Sequence, residues 1–135
     1  MSTDKPWESE PDHHLFESHG YVCEARRYEH RGNWCGYIYI PATHPLHGVD
    51  YNDAELTVHG GLTFSHTDDD NTKFGFDCGH YMDLVPSRTA QYKAMGIDTT
   101  IDEERGTYKT LDYVINELEN LAQQLKEKED DIDAV

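Results

Sequence analysis

The chain has 135 residues, 27 of them acidic and 11 basic, for a formal net charge of −16. That charge excludes broad binding to a nucleic-acid backbone, which needs clustered Lys and Arg. It leaves room for a small anion on a local Arg, for an acidic surface that imitates DNA, or for plain solubility.

The length fits one domain with one core. Hydrophobic residues make up 36% of the chain, so part of it is expected to be tail. No apolar run approaches the roughly 18 residues of a membrane span. The opening residues lack the basic-then-apolar pattern of a signal peptide, and a cytoplasmic protein is expected. Cys23, Cys35 and Cys78 have no C-x-x-C spacing, and each lies in an apolar run. They are expected to be small buried hydrophobes rather than a disulfide framework.

Residues 1–14, with Pro6, Pro11 and scattered charge, read as a mobile lead. A single α+β domain is expected over 15–126. Gly20–Tyr28 suggests a strand, Arg31-Gly32-Asn33 a turn, and Trp34–Ile40 a second strand stopped by Pro41. The following run, PATHPLHGVDYNDAE, is longer than common hairpin loops and is the kind of loop that carries function. Glu55–Thr67 and Lys73–Cys78 suggest a second hairpin over the polar turn 68–71.

Strand parity assigns the faces. Leu56, Val58, Leu62 and Phe64 share one side, opposite Thr57, His59, Thr63 and Ser65. Phe74, Phe76 and Cys78 oppose Gly75 and Asp77. Trp34, Ile38 and Ile40 oppose Cys35, Tyr37 and Tyr39. Gly60-Gly61 is a candidate bulge that would shift this register. Pro86–Met95 reads as a short helix ended by Gly96. Thr107–Lys126 is the clearest helix: Leu111, Val114, Ile115, Leu118, Leu121, Ala122 and Leu125 form one apolar stripe. That stripe can cover a sheet or pair with its copy in a homo-oligomer. Residues 127–135 read as a solvated acidic tail. The expected architecture is an antiparallel sheet of about four strands packed on the C-terminal helix.

A sheet face given to His, Ser, Thr and Asp points to a ligand. His59, Thr63, Ser65, Asp77 and His80 are the candidate pocket. Tyr37 and Tyr39 can stack on or close over a base, and Arg26 or Arg88 can pair with an anion. The same His59, Asp77 and His80 could alternatively hold a metal or do acid–base work. No H-E-x-x-H, nucleophile elbow, P-loop or dinucleotide fingerprint supports a specific enzyme class, and no cofactor is expected.

The strings VHGGLTFS and FGFDCGH, with WCGYIYIP and HPLHG before them, resemble a family of short, functionally unassigned proteins of phages and bacteria. The likeness covers about residues 33–83, with the 108–125 helix in the matching place. It implies an accessory protein, phage-borne and acting in the host cytoplasm, and it carries over no site residues. By analogy with small phage proteins of mixed sheet and helix, the expected function is non-enzymatic. The protein would bind a small polar or nucleotide-like ligand, as a counter-defence sponge for an immune signal. The alternatives are a small hydrolase of a nucleotide or phosphoester, and an acidic protein-binding inhibitor or DNA mimic.

Overall fold

Alternating side chains build a sheet with one covered face. The computed structural model describes residues 6–28, 32–79, 83–99 and 107–133. Strands β1 (His13–Ser18), β2 (Tyr21–Arg26), β3 (Cys35–Pro41), β4 (Phe64–Thr67) and β5 (Asn71–Asp77) are followed by helices α1 (Pro86–Ala94) and α2 (Leu111–Asp133). The five strands form one antiparallel sheet in the order β1-β2-β3-β5-β4. This is the expected α+β arrangement with one more strand than expected. The extra strand is β1, which starts inside the segment read as a lead and turns into β2 at His19-Gly20.

The covered face carries Cys23, Ala25, Ile38, Ile40, Phe74 and Phe76, all essentially buried. Val114, Leu118, Leu121, Ala122 and Leu125 of α2 are buried against them and lie across β1, β2 and β3. The apolar stripe of α2 is therefore used within the chain, to cover the sheet. The helix also continues through the expected tail to Asp133, and Glu129 accepts a 2.5 Å hydrogen bond from Tyr21 Oη.

The segment before β1 is tied to the core from both sides. The Arg27 side chain is fully buried, donating to the carbonyls of Trp7, Glu10 and Pro11 and lying 4.9 Å from the centre of the Trp34 ring. The Glu10 carboxylate accepts from Trp34 Nε1 at 3.2 Å, Tyr108 Oη at 2.5 Å and Leu111 N at 2.6 Å. The last bond satisfies a free amide in the first turn of α2, where a negative charge also suits the helix dipole.

Residues 56–63 are not strand. Gly60 and Gly61 both have positive φ, 66° and 81°, and Gly61 N closes a turn onto Val58 O at 2.9 Å. Glycine enters that region without steric cost, so the chain turns here instead of extending. Leu56, Val58 and Leu62 still pack partly buried at the margin of the core. Phe64 lands on the far face, 41% exposed, so the expected grouping of these four side chains does not hold. The preceding loop is pinned by its histidines. His44 Nδ1 accepts from Leu46 N, so its ring proton lies on Nε2 and is donated to Leu125 O at 2.9 Å. His47 meets the buried Thr72 hydroxyl at 3.0 Å. No described helix is long and apolar enough to cross a membrane.

Leu118 is fully buried at the centre of the stripe. Leu118→Ala should cost about 2–5 kcal/mol in chemical denaturation, as core leucine truncations do.

Candidate functional site

The sheet face turned away from α2 is where most of the polar and aromatic strand residues collect. In register, Leu15, Glu24, Tyr37, Gly75 and Phe64 make one row; His13, Arg26, Cys35 and Asp77 make the next; Glu17, Val22, Tyr39, Lys73 and His66 flank the other side.

Its aromatic centre is Tyr37. Gly75 lies beneath the ring, and a Cβ there would come within 2.7 Å of it, so only glycine lets Tyr37 lie flat across the strand. Tyr28 and Phe64 meet Tyr37 edge-on at 6.5 and 6.0 Å. The Tyr28 and Tyr37 hydroxyls are 2.7 Å apart. The Lys73 ammonium sits 4.2 Å from the Tyr37 ring centre, 5.4 Å from Tyr39 and 5.8 Å from Phe64. Tyr37 is nearly buried by this company, whereas Tyr28 is 68% exposed. Burial, followed by the Tyr28 hydrogen bond, drives the Tyr37 phenol far up from its ordinary value, so it stays protonated as a donor.

Beside this cluster lies Glu24, a carboxylate only 7% exposed on a face otherwise open to water. Its oxygens accept from His13 Nε2 at 2.7 Å, Arg26 NH2 at 3.0 Å and Tyr39 Oη at 2.9 Å, with Lys73 Nζ at 3.9 Å. Burial alone would raise its pKa. The hydrogen bonds from His13, Tyr39 and Arg26 outweigh burial and hold the carboxyl below its ordinary 4.5. Two permanent cations, Arg26 and Lys73, thus surround one carboxylate on a strongly acidic chain.

The predicted site residues divide. Arg26, Tyr37, Tyr39 and Asp77 share the open face, and Thr63 Oγ1 donates to Asp77 Oδ2 at 3.4 Å. Ser65 points to the covered side, opposite Phe74, and accepts from Tyr51 N at 3.1 Å, so it is not part of that face. His80 lies outside the described residues.

His59 belongs to a different cluster. Its Nε2 bonds Asp83 Oδ2 at 2.8 Å and its Nδ1 bonds Tyr113 Oη at 2.9 Å, while its amide donates to Glu117 Oε1 at 2.8 Å. Lys109 Nζ lies 3.6 Å from the other Asp83 oxygen, and Arg88 donates to the Asp83 carbonyl at 3.5 Å. Asp83 is nearly buried, and its backbone bridges to Thr107. His59 therefore pairs with Asp83 and not with the candidate-pocket residue Asp77, and both of its ring nitrogens are engaged by protein groups. The cluster joins the 56–63 turn, the strip before α1 and the first turns of α2. Among the described residues no group of three His, Cys, Asp or Glu side chains is arranged to hold a metal ion.

Reading the sequence missed Glu24, Tyr28 and Lys73. Lys73 was within reach of parity, since it shares a side with Gly75 and Asp77. Asp83 and Tyr113 carried no local signal, because their partner is 24 and 54 residues away. No protein-family model, no curated protein and no solved structure matches the chain.

His59→Ala strands a buried carboxylate and a tyrosine hydroxyl. The variant should lose about 1–3 kcal/mol, read as an early thermal melt. An unchanged melting temperature would show that the cluster does not hold the fold together.

Glu24 generates a pH effect. A carboxyl with a lower pKa folded than unfolded stabilises the fold above its unfolded value, and that contribution is lost as pH falls through the folded one. Wild-type stability should therefore drop as pH falls below about 4.5. Glu24→Gln, compared by denaturant titration at pH 7 and pH 3, should show a smaller loss.

Proposed function

We infer that the protein is a non-enzymatic binder of a small, planar, anion-bearing ligand, nucleotide-like in chemistry, held on the open sheet face. The carrying observation is the Lys73 ammonium set among Tyr37, Tyr39 and Phe64, with Tyr28 standing largely exposed beside them. An exposed aromatic ring such as Tyr28 accepts any base by stacking, worth about 1–3 kcal/mol per base. Arg26 and Lys73 supply charge for a phosphate or carboxylate. The overall charge of −16 opposes a long polyanion and leaves a small anion as the fitting ligand. Thr63 and Asp77 extend the face with hydroxyl and carboxylate partners for a sugar. Within this reading, a phage-borne sponge for a nucleotide immune signal in the host cytoplasm is the use suggested by analogy with small phage proteins of mixed sheet and helix.

A second reading, a small acid–base enzyme, rests on the Asp83–His59–Tyr113 hydrogen-bond chain. One experiment separates the two. The protein is incubated with cell metabolites, and the retained compound is released by denaturation and identified by mass spectrometry. The binder should return its ligand unchanged. Calorimetry with that compound should then show Tyr28→Ala and Lys73→Ala each weakening affinity about tenfold, near 1.4 kcal/mol, measured at a temperature where both variants remain folded. New products that vanish in His59→Ala would favour the enzyme. No retained compound, together with no heat from mononucleotides, cyclic nucleotides or ADP-ribose, would overturn the binder.

A further inference from the structure

The sheet ends in two unlike edges. β4 is four residues long and runs into an aspartate-rich turn, two features that discourage further pairing. β1 has six residues, His-His-Leu-Phe-Glu-Ser, with no proline and no lysine. Its exposure alternates along the strand, and Leu15 is 58% exposed.

The ladder shows which backbone groups face outward. Arg27 N donates to Asp12 O at 2.8 Å, so Asp12 and Arg27 are a hydrogen-bonded pair. Such pairs alternate along an antiparallel ladder. His14 opposite Ala25 and Phe16 opposite Cys23 are then also bonded, and the N–H and C=O groups of His13, Leu15 and Glu17 point away from β2. The edge therefore presents three consecutive outward pairs of backbone donors and acceptors, spaced for another antiparallel strand.

The side chains say which strand. On the open face the edge reads His13, Leu15, Glu17, with Arg26 beside His13 in register. One end carries an imidazole with Arg26 and Glu24 beside it, the centre is apolar and the other end is acidic. An antiparallel copy of the same strand reverses that order, so the ends match. A two-fold axis through Leu15, perpendicular to the sheet, sets His13 against the partner's Glu17, Leu15 against the partner's Leu15, and Glu17 against the partner's His13. These are the residues with outward backbone groups, so the pairing that matches the side chains also completes the hydrogen bonds. On the covered face the same register sets His14 against the partner's Phe16. His14 and Phe16 already stack within the chain, with ring centres 5.7 Å apart.

We propose that the protein forms a two-fold dimer by antiparallel β1–β1 pairing centred on Leu15. The interface is isologous, as a closed two-fold contact requires. It joins two sheets into one; Tyr37, Tyr39, Phe64 and Lys73 of each copy, on β3, β4 and β5, stay clear of the contact, whereas Arg26 lies beside His13 at its margin. The proposal does not depend on what the open face binds.

Sedimentation equilibrium of the full chain, with hydrogen exchange followed by NMR, tests it. The protein should sediment at twice its 15.6 kDa and dissociate on dilution. The Leu15 and Glu17 amides should be protected at high concentration and lose at least tenfold of that protection on dilution. The His14 and Phe16 amides, bonded to β2, should stay protected at both. Leu15→Pro removes an outward N–H without touching the β1–β2 ladder, and Glu17→Lys sets a cation against the partner's His13. Both variants should sediment as monomers with the wild-type far-ultraviolet spectrum. If Leu15→Pro perturbs the fold, Glu17→Lys alone decides. A monomeric wild type at about 100 μM, far above the μM affinity typical of weak specific pairs, would overturn the proposal. So would a folded Glu17→Lys variant that remains dimeric, or edge amides that exchange fast at every concentration.

Discussion

A single buried cation organises this fold. Arg27 has no exposed side-chain surface, in a chain whose net charge is −16. A guanidinium taken out of water must find acceptors for its donors, and here they come from three backbone carbonyls of the preceding segment, the Tyr108 hydroxyl and the Asp12 carboxylate. Its Nε is buried without a hydrogen-bond partner among the described residues, which leaves the Trp34 ring face to offset that cost. Removing its acceptors would leave a buried charge uncompensated, which is destabilising. The strap before β1, the indole at the start of β3 and the entry to α2 thus share one electrostatic condition. Glu10 carries it onward, since the same carboxylate serves Trp34, Tyr108 and the first turn of α2.

What could be seen in the sequence was what repeats with a short period. The alternation in 34–40 and 73–78 placed Trp34, Ile38, Ile40, Phe74, Phe76 and Cys78 on one side, and all six are buried. The stripe of α2 was equally plain. β1 was not, because its Leu15 and Phe16 fall on opposite faces and the strand is held mainly by its ladder to β2. Residues 56–63 carried a false alternation, for two adjacent glycines make a turn and reset the parity of everything before them.

The candidate site was legible where it lay on regular strands and obscure elsewhere. Tyr37, Tyr39 and Asp77 share a face because β3 and β5 keep their register. Glu24 was hidden by its surroundings: in GYVCEARRY it looks like any exposed glutamate. It is nearly buried because His13, Arg26, Tyr39 and Lys73 close around it from three other positions in the sheet and one neighbour in its own strand. His59 drew attention for a sound reason, its polarity in an oily run. The group that explains it, Asp83, sits in a stretch with no periodic pattern at all. Long-range partners of this kind are set by the assembled chain, and local spacing does not encode them.

The bond between Glu10 and Leu111 spans 101 residues, and that between Glu10 and Tyr108 spans 98. During synthesis the strap and the first three strands emerge well before either partner exists. Until α2 is made, Cys23, Ala25, Ile38 and Ile40 have no cover on their oily side, and Arg27 has only part of its acceptor set. Any sheet these strands form on the ribosome is uncapped for several seconds at ordinary elongation rates of about 5–20 residues per second. Residues 1–41 hold seven acidic and four basic side chains, so like-charge repulsion between unfinished chains is modest at first and grows as the acidic later half is added.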